Sequence, residues 1–253
     1  MSENVMGRRV VQGRWIALCC VTVLAGCFGG AELPKINPEK GALFSGSKSA
    51  SKDLMQKVSV LSGQAAVTAP KGFCVDKPAV QDGAGGAFVP MGACSALTGN
   101  PNDPTPKTPA FLTVAFLPID AQQAGLPDDP ADRLAVARAY LESDAGRAGL
   151  SWSGSAADLS ISSVRLAGDV LRVKVQDRSA GLPSGLSETS WRAFFELGGA
   201  VVTASVTGVK GHKLSNGQAE ALLKQLVSDT RSANPKAKSG GSGIGKLFGR
   251  LRN

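Results

Sequence analysis

The feature that most constrains the fold is a hairpin pattern in residues 191–206. Apolar side chains occupy every second position on both sides of Gly198-Gly199, namely Trp191, Ala193, Phe195 and Leu197 before it and Ala200, Val202, Ala204 and Val206 after it. A two-residue turn between such strands predicts the pairs Leu197 with Ala200, Phe195 with Val202 and Trp191 with Val206. Because these side chains then share one face, that face must be covered by other parts of the chain.

An amphipathic helix is predicted soon after the hairpin. The segment Ser215-Asn216-Gly217-Gln218 matches a capping box, in which the serine and glutamine side chains satisfy backbone groups at a helix start. The residues behind it form a stripe with helical spacing: Ala219, Leu222, Leu223, Leu226, Val227 and Thr230. This spacing predicts a helix that packs on the sheet.

Shorter strand and helix patterns precede the hairpin. Asp129-Pro130 predicts the start of a helix that runs to about Ala148, with one side that buries Leu134, Ala137 and Leu141. Strand-like segments lie at 58–67, 73–75, 87–94, 111–117, 159–166 and 170–176. The sequence therefore predicts an α+β fold: a single domain over residues 58–230, with a mostly antiparallel sheet of about six to seven strands packed by two helices.

This order of elements resembles the PsbP/DcrB-like fold of auxiliary periplasmic proteins. The resemblance is carried by a strand followed by Ala69-Pro70-Lys71-Gly72-Phe73 and by a terminal amphipathic helix after a long hairpin. It is topological and covers about Val58 to Thr230. It implies an auxiliary or binding protein rather than an enzyme, although a fold alone does not determine function.

The amino-terminal segment has the pattern of an export signal. A basic stretch with Arg8, Arg9 and Arg14 precedes an apolar run, Trp15 to Ala25, which is too short to span a membrane. The next residues complete Leu24-Ala25-Gly26-Cys27, which resembles the bacterial lipobox. The resemblance implies that residues 1–26 are a signal peptide that is removed and that Cys27 carries lipid. An ordinary cleaved signal with a chance cysteine is the alternative.

The lipobox resemblance also implies a location. The protein is expected to be extracytoplasmic and anchored in a membrane through the lipid on Cys27. Residue 28 is phenylalanine, whereas an aspartate at this position favours inner-membrane retention in enterobacterial lipoproteins. The outer membrane, facing the periplasm, is therefore favoured if the organism has two membranes. Residues 27–57 contain little apolar sequence that could form a core, and we expect them to be a flexible linker.

The cysteines that remain after processing form one pair. Cys19 and Cys20 lie in the signal and Cys27 is the predicted lipid site, which leaves Cys74 and Cys94. An even pair in an oxidising compartment predicts a structural disulfide. A redox or metal-binding pair is the alternative, but the sequence has no Cys-x-x-Cys motif and no histidine nearby to support it.

Positive charge is concentrated at the carboxyl terminus. Residues 27–230 contain 19 Lys/Arg and 19 Asp/Glu, whereas residues 231–253 contain six basic and no acidic side chains. The sequence predicts a flexible basic tail over 231–253 with a short amphipathic segment. An anionic lipid, an envelope polymer or an acidic protein would be its partner, and a tail without function is the alternative; no nucleic-acid partner is expected. The candidate contact residues are Lys236, Lys238, Lys246, Arg250 and Arg252.

These observations favour a non-catalytic function. We expect a membrane-anchored lipoprotein that acts as a binding, assembly or structural module of the cell envelope, without catalytic, cofactor or metal sites. One alternative is a cryptic hydrolase that uses His212, the single histidine. The sequence lacks the Gly-x-Ser-x-Gly turn that presents a serine nucleophile in many hydrolases. A carrier of a small apolar ligand is the other alternative.

Overall fold

The computed structural model describes residues 54–118 and 130–235, except for the side chains of residues 130–134 and 137. The predicted α+β class is confirmed, with a main antiparallel sheet and helices packed against it. The strands are β1 (Lys57–Val60), β2 (Ala65–Thr68), β3 (Phe73–Val75), β4 (Gln81–Gly83), β5 (Gly86–Ala93), β6 (Ala110–Pro118), β7 (Leu159–Ala167), β8 (Val170–Asp177), β9 (Leu186–Leu197) and β10 (Ala200–Val209). The helices are α1 (Cys94–Thr98), α2 (Pro130–Glu142), α3 (Asp144–Leu150) and α4 (Asn216–Ser232), and short 3-10 turns lie at Lys77–Ala79 and Ala156–Asp158.

The main sheet of the described residues has eight strands. Its order is β3-β5-β6-β10-β9-β8-β7, and β4 pairs with β5 beside this row. The small strands β1 and β2 form a separate hairpin. The segment 58–67 was expected to form one strand, but it divides here because Leu61 and Ser62 turn the chain with positive φ angles of 54° each. That division, together with the short β4, makes the described strands more numerous than the sequence predicts.

The predicted long hairpin is confirmed with its register. Leu197 lies opposite Ala200, Phe195 opposite Val202 and Trp191 opposite Val206. The pairing continues from β10 to β6 and from β9 to β8. These strands therefore form the centre of the sheet, and their alternating apolar side chains form its larger core.

Helix α4 covers this core as its stripe predicts. It packs on β9, β10 and β2. The capping box is present, since Ser215 Oγ accepts from the Gln218 N–H at 3.3 Å and the Gln218 side chain accepts from the Ser215 N–H at 3.1 Å. All six stripe residues are buried: Ala219, Leu222, Leu223, Leu226, Val227 and Thr230.

Helices α2 and α3 lie on the opposite face of the sheet, near β7. A single helix to Ala148 was expected, but Ser143 is extended and its Oγ accepts from the Gly146 N–H at 3.2 Å, which begins α3. Gly146 permits this close turn because a Cβ there would lie 2.1 Å from the Tyr140 carbonyl oxygen. Leu141 is buried, whereas the side chains of Leu134 and Ala137 lie outside the described residues. A second core forms here from Leu141, Leu159, Val164, Leu171, Val173, Val175 and Phe194.

The folded region extends beyond Thr230. Helix α4 ends at Ser232, and the buried Asn234 then binds the outer edge of β2. Its Oδ1 accepts from the Ala66 N–H at 2.8 Å, and its Nδ2 donates to the carbonyl oxygens of Ala66 and Thr230, both at 2.7 Å. The side chain thus supplies strand-like hydrogen bonds that attach the small hairpin to the end of α4.

Candidate anion-binding groove

Strand β8 presents different chemistry on its two faces. Leu171, Val173 and Val175 are buried in the core beneath α2 and α3. The alternate positions Arg172 and Lys174 face the side of the sheet on which α4 lies, since Arg172 lines a groove with α4 residues and Lys174 contacts Asn216. The period of two in β8 therefore places two cations beside α4.

A third cation lies on the adjacent edge strand. Arg165 of β7 is directly opposite Arg172 of β8 in the antiparallel register. Residues that face each other across an antiparallel pair share one face of the sheet, and like charges in that position destabilise the pair. The two guanidinium groups therefore create a local positive potential that an anion would relieve.

The groove itself lies between α4 and the turn that joins β7 to β8. Its cavity volume is about 330 Å³. The buried side chains of Val170, Leu223 and Val227 supply apolar surface, while Arg172, Lys224 and Arg231 supply positive charge. The lining also includes Ala167, Asp169, Ser228 and Ser232.

Arg231 is held in place at one end of the groove. Its Nη2 donates to Asp169 Oδ2 at 2.9 Å, and its guanidinium carbon lies 4.9 Å from the centre of the Phe195 ring. Its Nε is buried without a hydrogen-bond acceptor among the described residues. The Asp169 carboxylate is 58% exposed, and ion pairs this exposed contribute little stability. An incoming anion therefore has a pre-positioned partner whose existing ion pair is weak.

Lys174 is also positioned by neighbouring groups. Its Nζ donates to Asn216 Oδ1 at 2.9 Å and lies 5.2 Å from the centre of the Trp191 ring. Cations this close to an aromatic face are attracted by the ring quadrupole. The face of β7 and β8 and the adjoining side of α4 thus carry five cations, while the groove between them contains one acidic group, Asp169. This surface can bind an anion electrostatically. The cations are Arg165, Arg172, Lys174, Lys224 and Arg231.

Sequence reasoning missed this groove. The equal numbers of acidic and basic side chains in residues 27–230 give no information about a basic surface on the fold. Two local signals were present: basic residues at alternate positions 172 and 174 of a strand, and Lys224 and Arg231 seven residues apart on one helix. Only the pairing of β7 with β8 and the position of α4 bring them together.

The predicted disulfide is confirmed. Cys74 and Cys94 are bonded, with an S–S distance of 2.01 Å and a Cα–Cα distance of 4.9 Å. Both residues are buried, and they join β3 to the first residue of α1. The two cysteines are 20 residues apart in the sequence, and their bond links two elements of the folded domain.

His212 lies in an exposed turn after β10. Its backbone N–H donates to the Val209 carbonyl oxygen at 3.1 Å. It is not among the residues that line the groove. Across residues 54–118 and 130–235, the structure shows no group of three or more His, Cys, Asp or Glu side chains arranged for a metal ion.

A second polar cluster, around Asp177, has a structural role. Asp177 accepts from the Trp152 N–H at 2.8 Å and from the Ser179 N–H at 3.0 Å. Nearby, Arg192 Nη1 donates to the Leu150 carbonyl oxygen at 2.8 Å. Burial lowers the pKa of Arg192, and the negative charge of Asp177 offsets part of that shift. These contacts attach the segment after α3 to the sheet.

Cys27, the predicted site of lipid attachment, lies outside the described residues and stays a prediction. The same holds for the predicted tail cations Lys236, Lys238, Lys246, Arg250 and Arg252. Among the helices that the structure describes, none combines the length and apolar character needed to cross a membrane.

Comparisons with protein-family models, curated proteins and solved structures find no match.

Proposed function

We propose that this protein is a membrane-anchored extracytoplasmic lipoprotein whose domain acts as a non-catalytic binding module of the cell envelope. Lipid on Cys27 would hold it to the membrane, and the outer membrane is favoured in an organism with two membranes. The tail after Pro235 would give a further contact with an anionic partner through Lys236, Lys238, Lys246, Arg250 and Arg252. The groove beside α4 would be the binding site on the domain.

The observation that carries the proposal is the Cys74–Cys94 disulfide. These are the two cysteines that remain once the signal is removed and Cys27 is modified. Stable structural disulfides are typical of oxidising, extracytoplasmic compartments. The bond therefore supports export, which is what the Leu24 to Cys27 motif implies.

The groove supports binding better than the two alternatives. A hydrolase based on His212 would need a pocket at that residue, but the cavity described above has other lining residues. A carrier of a purely apolar ligand would need an apolar cavity, whereas this one is lined by Arg172, Lys224 and Arg231. Its apolar floor and charged rim fit the usual composition of ligand sites, which combine hydrophobic surface with a few placed polar groups.

The anchor is tested by labelling cells with a fatty-acid analogue. The wild-type chain should incorporate the label, and Cys27→Ala should abolish incorporation and leave unprocessed precursor. Cys20→Ala is the matched control, because Cys20 lies within the predicted signal and its loss should leave labelling unchanged. Full incorporation by Cys27→Ala would contradict the proposal.

A further inference from the structure

We infer that the groove between α4 and the β7–β8 turn binds a phosphate group joined to an apolar chain. The inference deepens the proposed binding function, but it does not depend on the lipid anchor. Its basis is the combination of clustered cations, a pre-positioned arginine and an apolar floor in one cavity of about 330 Å³.

The charge of the groove favours phosphate over a single carboxylate. Arg172, Lys224 and Arg231 line the groove with one acidic group, Asp169, and Arg165 lies opposite Arg172 on the adjacent strand. A phosphate monoester carries about −1.5 to −2 charges near neutral pH and three acceptor oxygens. Guanidinium groups bind such oxygens in a bidentate manner. One phosphate thus compensates more of the local positive charge than a monocarboxylate and relieves the repulsion between Arg165 and Arg172.

The apolar part of the ligand has a defined place. Val170, Leu223 and Val227 line the same cavity as the cations. Each is largely buried, with exposures of 7%, 2% and 8%, so the apolar surface is continuous with the core. The volume is near the lower end of the range for small-molecule sites. The site therefore fits a phosphate headgroup with a few methylene groups.

The Asp169 carboxylate occupies the place on Arg231 that a phosphate of the ligand would take. Its carboxylate accepts from Arg231 Nη2 at 2.9 Å and is exposed to solvent. A ligand phosphate would replace that carboxylate on Arg231 and would also meet Arg172. Removal of the Asp169 charge should therefore strengthen binding, while removal of the Arg172 charge should weaken it. A purely structural ion pair would not produce these opposite effects.

The test uses the mature chain from residue 27 with Cys27→Ala, kept oxidised, and hexyl phosphate below its micellar concentration. Calorimetry gives the affinity, and methyl NMR signals of Val170 and Val227 report the site. We expect hexyl phosphate to bind at least tenfold more tightly than inorganic phosphate or hexanol. Arg172→Gln should weaken binding by about tenfold, the scale of one charge-assisted hydrogen bond, and Asp169→Asn should tighten it.

Two controls separate the groove from other cations. Lys107→Gln changes an exposed loop lysine that is not in the groove and should leave the affinity unchanged. Truncation after Pro235 removes the tail cations and should also leave it unchanged. The thermal midpoints of all variants are measured, and Lys224→Gln, at an exposed position of the same groove, replaces Arg172→Gln if the latter unfolds.

A second arm identifies the source of the phosphate. If vesicles that contain phosphatidic acid, whose headgroup is a phosphate monoester, bind and Arg172→Gln weakens that binding, the ligand is a lipid headgroup. If hexyl phosphate binds but the vesicles do not, the ligand is a free amphiphile. Either result supports the inference.

The inference is overturned if hexyl phosphate does not bind or if inorganic phosphate binds equally well. It is also overturned if the groove variants have no effect on binding while the truncation abolishes it. None of these results bears on fatty-acid labelling of Cys27.

Discussion

Replacement of Asn234 by alanine should destabilise the domain strongly for a residue so close to the end of the fold. The side chain makes three hydrogen bonds, of 2.8, 2.7 and 2.7 Å, to Ala66 and Thr230. Asn234 and Ala66 are each only 9% exposed, so water cannot easily replace the lost partners. At about 1 kcal/mol for each buried neutral hydrogen bond, Asn234→Ala should lower the free energy of unfolding by about 3 kcal/mol.

This change is measurable by thermal and urea unfolding of the oxidised protein. For a domain of this size, 1 kcal/mol corresponds to roughly 2–4 °C in Tm, so we expect a decrease of roughly 6–12 °C. Asn102→Ala, at an exposed loop asparagine, is the matched control and should have little effect. A difference between Asn234→Ala and wild type of less than about 0.5 kcal/mol, the usual range for surface substitutions, would refute the reasoning.

Two further predictions concern the disulfide and a partly buried carboxyl group. Replacement of Cys74 and Cys94 by serine should lower the free energy of unfolding by roughly 3 kcal/mol, the chain-entropy value for the 20-residue separation; denaturation curves test this, and unchanged curves would contradict it. Burial raises the pKa of Asp76, so the native state retains this proton to higher pH than the unfolded chain. The contribution of Asp76 to stability should therefore decline as pH rises from its unfolded pKa through its folded pKa. Asp76→Asn should gain stability relative to wild type between pH 3 and pH 7 in urea titrations, and a constant difference across that range would argue against this effect.

The parts of the fold that could be predicted from the sequence are those determined by local patterns. The 191–206 hairpin has a two-residue turn that fixes its register, and α4 has both a capping box and an uninterrupted apolar stripe. The break at Ser143 was missed because its hydrogen bond to Gly146 competes with continuation of the helix. Charge and periodicity predict a domain boundary at Thr230, but neither reveals the hydrogen bonds of Asn234 to β2, a strand far away in the sequence.

This boundary changes how the tail must be tested. A chain that ends at Thr230 loses Asn234 and its hydrogen bonds to β2. Weaker anion binding by that chain would then have two causes, the lower stability of the domain and the loss of the tail cations. A chain that ends at Pro235 keeps Asn234 and still removes Lys236 and the later cations. The contribution of the tail is therefore defined only by the second truncation.

The equal numbers of acidic and basic side chains in residues 27–230 are consistent with a basic groove because the two signs have different structural roles. Several carboxylates accept hydrogen bonds from residues of turns, loops and a helix end: Asp82 from Leu61, Asp103 from Thr98 and Asn100, and Asp177 from Trp152 and Ser179. Basic side chains instead project from the regular face of β7, β8 and α4, where the strand and helix periods align them. The local field at that face thus differs from the net charge of the domain, and since charges near the surface are screened by ions, binding of phosphate to the groove should weaken with added salt even in a chain without its tail.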